Sequence, residues 1–481
     1  MERLVVIGGG VSGLATAFRA REAAAALGHT LAVTVLEAAS RPGGKMRTDL
    51  ADGLVIEEGP NGFLDSKPDP LLLTQAIGLE SRLLRSSDAA RKRFVCRDGR
   101  LVRLPETPGA FLRSPLLSGR GKVRLLGEPF APPAPPGEET LSEFAERRLG
   151  AEARDYLIDP MVSGIYAGDP ARLSVAAAFP RVVELEREHG GLFRGMVAVM
   201  RQRRRERRQG PKSYAGPGGT LQSYRGGVAT LPAALAASIG GPRAGGGDGL
   251  VLSTAATGIR RTATGWEVMA ETDGAARTFP ADAVVLSCPA YDAARLLRIA
   301  APGAVEPLGG IPYAPVAVVA TAFARDEVAR PLDGFGFLIP GTERRPILGT
   351  LWDSSVFEDR APPGMVLLRS MAGGARRPDV AEMPDSDLVA IVRAQLADLM
   401  GIRAAPRLVR VYRWDRGIPQ YDLGHLGRVA AAEAALAREP GLFLCHNAYR
   451  GIALADCCRE AAATGRNVAS FLFAQTQEAH P

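Results

Sequence analysis

The chain has 481 residues, 46% hydrophobic and 23% charged, with a mean hydropathy near zero. This composition excludes a disordered or fibrous protein and a single small binding module, and the length predicts about three structural units meeting at a cleft. The net charge of +7 does not by itself mark a nucleic-acid binder. Only Lys45, Lys67, Lys92, Lys122 and Lys212 of the 59 basic residues are lysine, the arginines are scattered, and the dense run over 201–208 (RQRRRERR) has no interleaved aromatics. That run reads as a solvated helix face. Cys96, Cys288, Cys445, Cys457 and Cys458 show no CxxC spacing, so neither a zinc site nor a disulfide framework is expected and a reducing compartment is the default. A leader pattern and an apolar run long enough to span a bilayer are both missing from the sequence, which predicts a cytoplasmic protein, peripheral at most on the inner face of the membrane.

Residues 3–7 (RLVVI) form a β-branched run that breaks into Gly8-Gly9-Gly10, and 11–27 read as an Ala-rich helix. A second strand over 31–36 ends at Glu37. The unit is strand, turn, helix, strand, with Gly8, Gly10 and Gly13 in G-x-G-x-x-G spacing. Glycines allow the tight turn and the close approach of backbone to a pyrophosphate, the helix start offers free N–H groups, and Glu37 accepts from ribose hydroxyls. A dinucleotide is therefore predicted. A second glycine loop with flanking bases follows (Arg41-Pro42-Gly43-Gly44-Lys45-Met46-Arg47), then Glu57-Glu58-Gly59-Pro60-Asn61. A nicotinamide enzyme has little use for such a loop just past its ribose acid, whereas a long, buried FAD does.

Further along, 66–88 read as a short helical piece and 91–105 as a hairpin turning at Asp98-Gly99. Residues 90–180 read as a helical insertion whose mixture of Phe, Leu and Arg suits either a membrane surface or packing on its own domain. Short strands over 249–288 form a meander closing on a buried strand that resumes the nucleotide-binding lobe. A second excursion over 293–423 contains strands near 315–324, 335–339, 347–351 and 365–371, and a helix near 385–400. A strand over 441–445, a loop and a helix from Asp456, typed as its N-cap, end the chain.

Taken together, the motifs above resemble the protoporphyrinogen oxidase family of FAD enzymes. The resemblance runs along nearly the whole chain and is carried further by Ser163-Gly164-Ile165-Tyr166-Ala167-Gly168-Asp169, Gly334-Phe335-Gly336-Phe337-Leu338-Ile339-Pro340, Ile418-Pro419-Gln420-Tyr421 and Asn447-Ala448-Tyr449-Arg450-Gly451. It implies an α/β (α+β overall) architecture: a discontinuous Rossmann-like FAD domain (1–66, 222–292, 424–481), a mixed-sheet substrate domain (67–88, 182–221, 293–423) and a helical membrane-associating domain (89–181). It also implies six-electron oxidation of protoporphyrinogen IX to protoporphyrin IX in three flavin cycles, with molecular oxygen reduced to peroxide.

Residue by residue, the resemblance assigns Arg93 to a substrate propionate, Gly164 to a position where a side chain would block the macrocycle, and Leu338, Leu351 and Met371 to the faces of the rings. Asn61 touches the substrate edge or forms a turn. Gly8, Gly10, Gly13, Glu37, Arg41, Gly43, Gly44, Lys45, Gly59, Pro60, Ala256, Asn447 and Ala453 are assigned to FAD, with Ala256 against adenine. No side-chain base is assigned and no metal. The family carries Gly where this chain has His446 and Asn where it has Ala455. A histidine there either crowds the isoalloxazine or turns outward, and restoring Gly is expected to raise flavin occupancy. A homodimer is consistent with the resemblance. Rival readings are coproporphyrinogen III oxidation, an FAD oxidase of amines or polyenes, and an inactive flavin-binding partner or scaffold.

Overall fold

The computed structural model describes residues 1–209, 219–242 and 248–473, without the side chains of 202–209. Strand Glu2–Ile7 buries its apolar run Leu4 to Ile7 on both faces, as a central parallel strand must. It pairs in parallel with Leu31–Leu36 on one side and Ala283–Leu286 on the other. Gly249–Val251 and Leu442–Leu444 complete the sheet at its two edges, again in parallel. Helix Val11–Ala26 crosses the terminal helix Leu454–Phe473 through small residues, and a Cβ on Gly465 would lie 2.8 Å from the Ala20 amide nitrogen.

Gly249–Val251 is a strand of this sheet and not the first strand of the expected meander. All three residues are buried, which a meander strand with one solvated face would not allow. The meander is Thr254–Arg261, Trp266–Thr272 and Ala275–Ala281, closed over Ile259, Trp266, Val268 and Phe279.

A second sheet of seven strands runs in the order Leu408–Pro419, Tyr313–Ala324, Met365–Gly373, Ile347–Leu351, Gly336–Leu338, Arg93–Arg97 and Arg100–Arg103. One face packs Val319, Leu368 and Ala372 against Leu388, Val392 and Leu396 of helix Asp385–Met400. The hairpin does turn at Asp98-Gly99, where both residues have positive φ, 50° and 69°. It pairs with Gly336–Leu338, however, so the stretch expected to be a helical insertion over 89–181 opens with sheet. Helices follow from Pro108–Arg113 to Leu192–Gln209, including Leu141–Leu149 with a Thr140/Glu143 capping box. The basic run over 201–208 falls in the last of these, but its side chains past Arg201 lie outside the described residues.

Other differences are local. The helical piece expected over 66–88 is an α-helix only over Asp69–Ala76, followed by a single 3-10 turn, Glu80–Arg82, and strand Leu83–Arg85. Asp456 is not an N-cap: the last helix begins at Leu454, and the Asp456 carboxylate takes Lys67 Nζ at 2.7 Å and Arg459 Nη1 at 2.9 Å. Among the described residues no helix is long and apolar enough to cross a membrane.

Candidate functional site

The glycine loops are built for close approach. Gly8 has φ +115°, and a Cβ there would lie 2.6 Å from Ser287 O; a Cβ on Gly13 would lie 2.0 Å from Gly8 O. The Gly43 amide donates to Gly9 O at 2.8 Å, and a Cβ on Gly44 (φ +56°) would stand 3.3 Å from Gly10 Cα. The two loops therefore touch backbone to backbone, and side chains at these positions would fill the space between them. Helix Val11–Ala26 has no side-chain cap, so its first N–H groups are free for an anion. Both Glu37 oxygens are oriented by backbone, accepting from Gly9 N at 2.7 Å and Ala39 N at 2.8 Å, with lone pairs left for a ribose.

A cavity of about 1100 Å³ runs along the carboxyl ends of the parallel strands, just above the roughly 300–1,000 Å³ typical of small-molecule sites. Of the residues expected to hold a cofactor, Gly8, Gly10, Glu37, Gly43, Gly44, Lys45, Pro60, Ala256, Asn447 and Ala453 line it. Gly13 and Gly59 act from behind: Gly13 lets the helix pack on the turn, and a Cβ on Gly59 would lie 2.8 Å from Lys45 O. Arg41 does not reach the cavity and pairs with Glu58 at 3.1 Å.

Lys45 Nζ donates to the carbonyls of Arg416 (2.8 Å) and Gly417 and lies 5.3 Å from the Tyr313 ring centroid. Burial pushes this amine down to about 8. Asn61, between lining residues Pro60 and Gly62, is more telling: its Oδ1 and Nδ2 are both buried without a partner. A buried amide left unsatisfied at both ends costs free energy that a bound group would recover. Glycine cradle, anchored ribose acid, free helix amides and orphaned amide together fit a long dinucleotide.

Several lining residues had no sequence signal. Trp414 donates Nε1–H to Glu58 O at 2.8 Å, under the guanidinium of Arg47 at 5.1 Å, and Arg416 stacks on Tyr291 at 4.4 Å. These contacts bring strand Leu408–Pro419 over the cavity from far along the chain. His446 is half-buried and lines the cavity, as does Ala455.

The residues expected to meet substrate do not line this cavity, but the fold brings them together beside it. Leu338 pairs with Gly349, which pairs with Met371; Leu351 pairs with Gly336 and Arg369; Gly336 pairs with Arg93. Two residues along each strand separate these rows, so all of these side chains share one face of the seven-stranded sheet. Leu338, Leu351 and Met371 are half-buried there. Helix Asp159–Tyr166 packs on the same face, and a Cβ on Gly164 would lie 3.0 Å from Leu338 Cδ2. Arg93, at the rim, has its guanidinium 5.2 Å from the Phe335 ring centroid and no carboxylate partner among the described residues, and desolvation lowers its pKa. Arg369 joins face to cavity: it is ion-paired with buried Asp353, and its Nη1 holds the carbonyls of Glu57 (2.6 Å) and Gly59 (3.0 Å), just before Asn61.

The profile of the flavin-containing amine oxidoreductases matches residues 11–469. The chain belongs to this family. It is an FAD-dependent oxidoreductase. Similar named proteins include a chloroplastic protoporphyrinogen oxidase of Oryza sativa subsp. japonica, 34% identical over 97% of this chain and 88% of its own. A coproporphyrinogen III oxidase of Bacillus subtilis is 29% identical over 98% of this chain and 99% of its own. A crystal structure from Exiguobacterium sp. 255-15 superimposes with a TM-score of 0.79 at 27% identity, over 97% of this chain and 98% of that one. Cyclohexylamine oxidase from Brevibacterium oxydans, TM-score 0.68 at 15% identity, shares the fold.

Proposed function

We propose that this protein oxidises a porphyrinogen to the porphyrin, with protoporphyrinogen IX as substrate. The carrying observation is the sheet face on which Leu338, Leu351 and Met371 lie in register under Gly164, with Arg93, which has no carboxylate partner among the described residues, at its rim. A porphyrinogen is a large apolar macrocycle with propionates at one edge, and such a substrate needs a greasy wall, room where a side chain would intrude, and a cation at the margin.

When bound, FAD would supply hydride acceptance from a bridging methylene, with molecular oxygen as the final oxidant, reduced to hydrogen peroxide. The protein's part is placement. Gly8, Gly10, Gly43 and Gly44 admit the pyrophosphate, Glu37 takes the ribose, and Arg369 fixes the loop bearing Asn61 between cofactor and substrate. The apolar wall excludes water from the reacting carbon. A pyrrole N–H releases the compensating proton, so no strong base is required; Asp159, on the helix that carries Gly164, is already committed to Arg376 at 2.7 Å.

The guanidinium of Arg93 suits a propionate as a planar fork. Coproporphyrinogen III is the second reading, favoured by the names of the Bacillus relative and of one from Propionibacterium freudenreichii. Its four carboxylates ask for more rim cations than Arg93 alone. Parallel aerobic assays of the two porphyrinogens, reading porphyrin fluorescence and peroxide, decide between them: faster turnover of protoporphyrinogen IX supports the first reading, and turnover of neither defeats both.

We also place the protein at the cytoplasmic face of a membrane. Phe130 (87% exposed), Val123 (72%), Leu112 and Leu126 project from the segment that carries Arg113, Arg120, Lys122 and Arg124, a mixture suited to an anionic lipid surface. Co-sedimentation with anionic vesicles, lost in a Val123→Asp/Phe130→Asp variant, tests this; no binding by the unaltered protein refutes it.

A further inference from the structure

The parallel strands end side by side in the order Gly249–Val251, Leu31–Leu36, Glu2–Ile7, Ala283–Leu286, Leu442–Leu444. Glu37 closes the second of these and suits a ribose; the free amides that follow Gly10 suit a pyrophosphate. FAD laid along this cavity from Glu37 must therefore carry its ribityl and isoalloxazine half over the ends of the last two strands. His446 stands there, two residues beyond Leu444, among the residues lining the cavity.

The ring is held in one orientation. Ala448 N–H donates to Nδ1 at 3.1 Å, and the edge-on Tyr449 ring lies 6.2 Å away, centroid to centroid. Burial and the neighbouring Lys45 push its pKa down to about 3, which keeps it neutral. A neutral imidazole whose Nδ1 accepts carries its hydrogen on Nε2. Among the described residues nothing accepts from that Nε2–H. The cavity therefore presents a fixed, unused donor where the cofactor's flavin half must lie.

We propose that His446 is a cofactor ligand whose Nε2–H donates to an acceptor on the ribityl-isoalloxazine half of FAD, a contact that glycine at this position lacks. The inference rests on FAD binding alone and not on the identity of the substrate. It reverses the occupancy expected from sequence, where glycine was the better residue.

The test compares full-length holoprotein with His446→Gly and His446→Leu. Release of FAD after dilution is followed by the recovery of flavin fluorescence, and ADP, which shares the adenosine and pyrophosphate but lacks the ribityl-isoalloxazine half, is titrated into the same chains after FAD removal. Loss of one neutral hydrogen bond predicts FAD release about 5- to 12-fold faster in both variants, with ADP affinity unchanged. Release unchanged or slower in either folded variant overturns the proposal. Equal weakening of ADP also overturns it, because the effect would then be a general collapse of the loop. The leucine variant keeps side-chain bulk without the donor, so the contrast survives if the glycine variant does not fold.

Discussion

Replacing Arg93 with alanine removes a cation whose guanidinium lies 5.2 Å from the Phe335 ring centroid and which pairs with no carboxylate among the described residues. The folded protein should barely notice, because an exposed cation–π contact is worth about 0.5–1 kcal/mol. Substrate binding should notice more. A hydrogen bond between charged groups is worth about 1.5–3 kcal/mol, and for this exposed side chain the lower part of the range applies. About 1.5–2 kcal/mol corresponds to a 12- to 30-fold loss in kcat/KM. A propionate far from the reacting carbon is bound equally in ground and transition states, so the loss should fall on KM with kcat unchanged. Arg93→Lys keeps the charge but not the fork and should recover part of the loss. Steady-state porphyrin fluorescence over a range of porphyrinogen concentrations measures both constants, and higher ionic strength should shrink the difference between wild type and variant. An unchanged KM for both porphyrinogens, or a loss confined to kcat, would refute the assignment.

Gly164→Val should lower kcat/KM at least tenfold with flavin content unchanged. The new Cβ starts 3.0 Å from Leu338 Cδ2, a mobile side-chain end, so overpacking should cost stability only about 1–1.5 kcal/mol while the slot narrows; wild-type turnover would remove Gly164 from the substrate wall. Gly13→Ala should purify with little flavin and a lowered Tm, because its Cβ would meet backbone, Gly8 O, at 2.0 Å and the helix must shift. Normal flavin content in that variant would contradict the tight turn. The third concerns pH. His446 is held neutral down to about 3, below its ordinary 6.5, by burial and then by Lys45. Between these values the unfolded chain binds the proton and the folded chain does not, so stability falls as pH falls from 6.5 towards 3. By pH 5 this amounts to about 2 kcal/mol, at 1.36 kcal/mol per unit. His446→Gln should flatten the apoprotein's unfolding free energy, measured from denaturant curves, over pH 7 to 5 by that amount, and parallel pH dependences would refute the burial argument.

The parallel sheet could be read from sequence because its central strands are β-branched runs buried on both faces, and the cofactor cradle because glycine spacing is a local signal. Gly249–Val251 was misplaced because three residues are too few to show a period. Strand Leu408–Pro419 escaped notice because Arg410, Arg413, Asp415 and Arg416 interrupt its alternation. Asp456 has the right residue type for a cap, but type alone does not say where a helix begins; Lys67, 389 positions away, takes its carboxylate. The same distance problem hid Trp414, Arg416 and Tyr291, which become wall residues only after the two sheets dock. Arg369 shows the limit most clearly. In sequence it is one more arginine in a strand, and only the fold gives it Asp353 and the carbonyls of Glu57 and Gly59. The substrate face owes its recognition to family motifs, since half-buried leucines and a methionine in strands carry no functional signal of their own.

Anaerobic mixing of the flavin-loaded protein with protoporphyrinogen IX is the most direct trial of porphyrinogen oxidation. The account predicts bleaching of the flavin's visible absorption within the mixing experiment, then recovery of the yellow colour and appearance of porphyrin fluorescence when air is admitted. A flavin that stays oxidised with this substrate and with coproporphyrinogen III alike would contradict it.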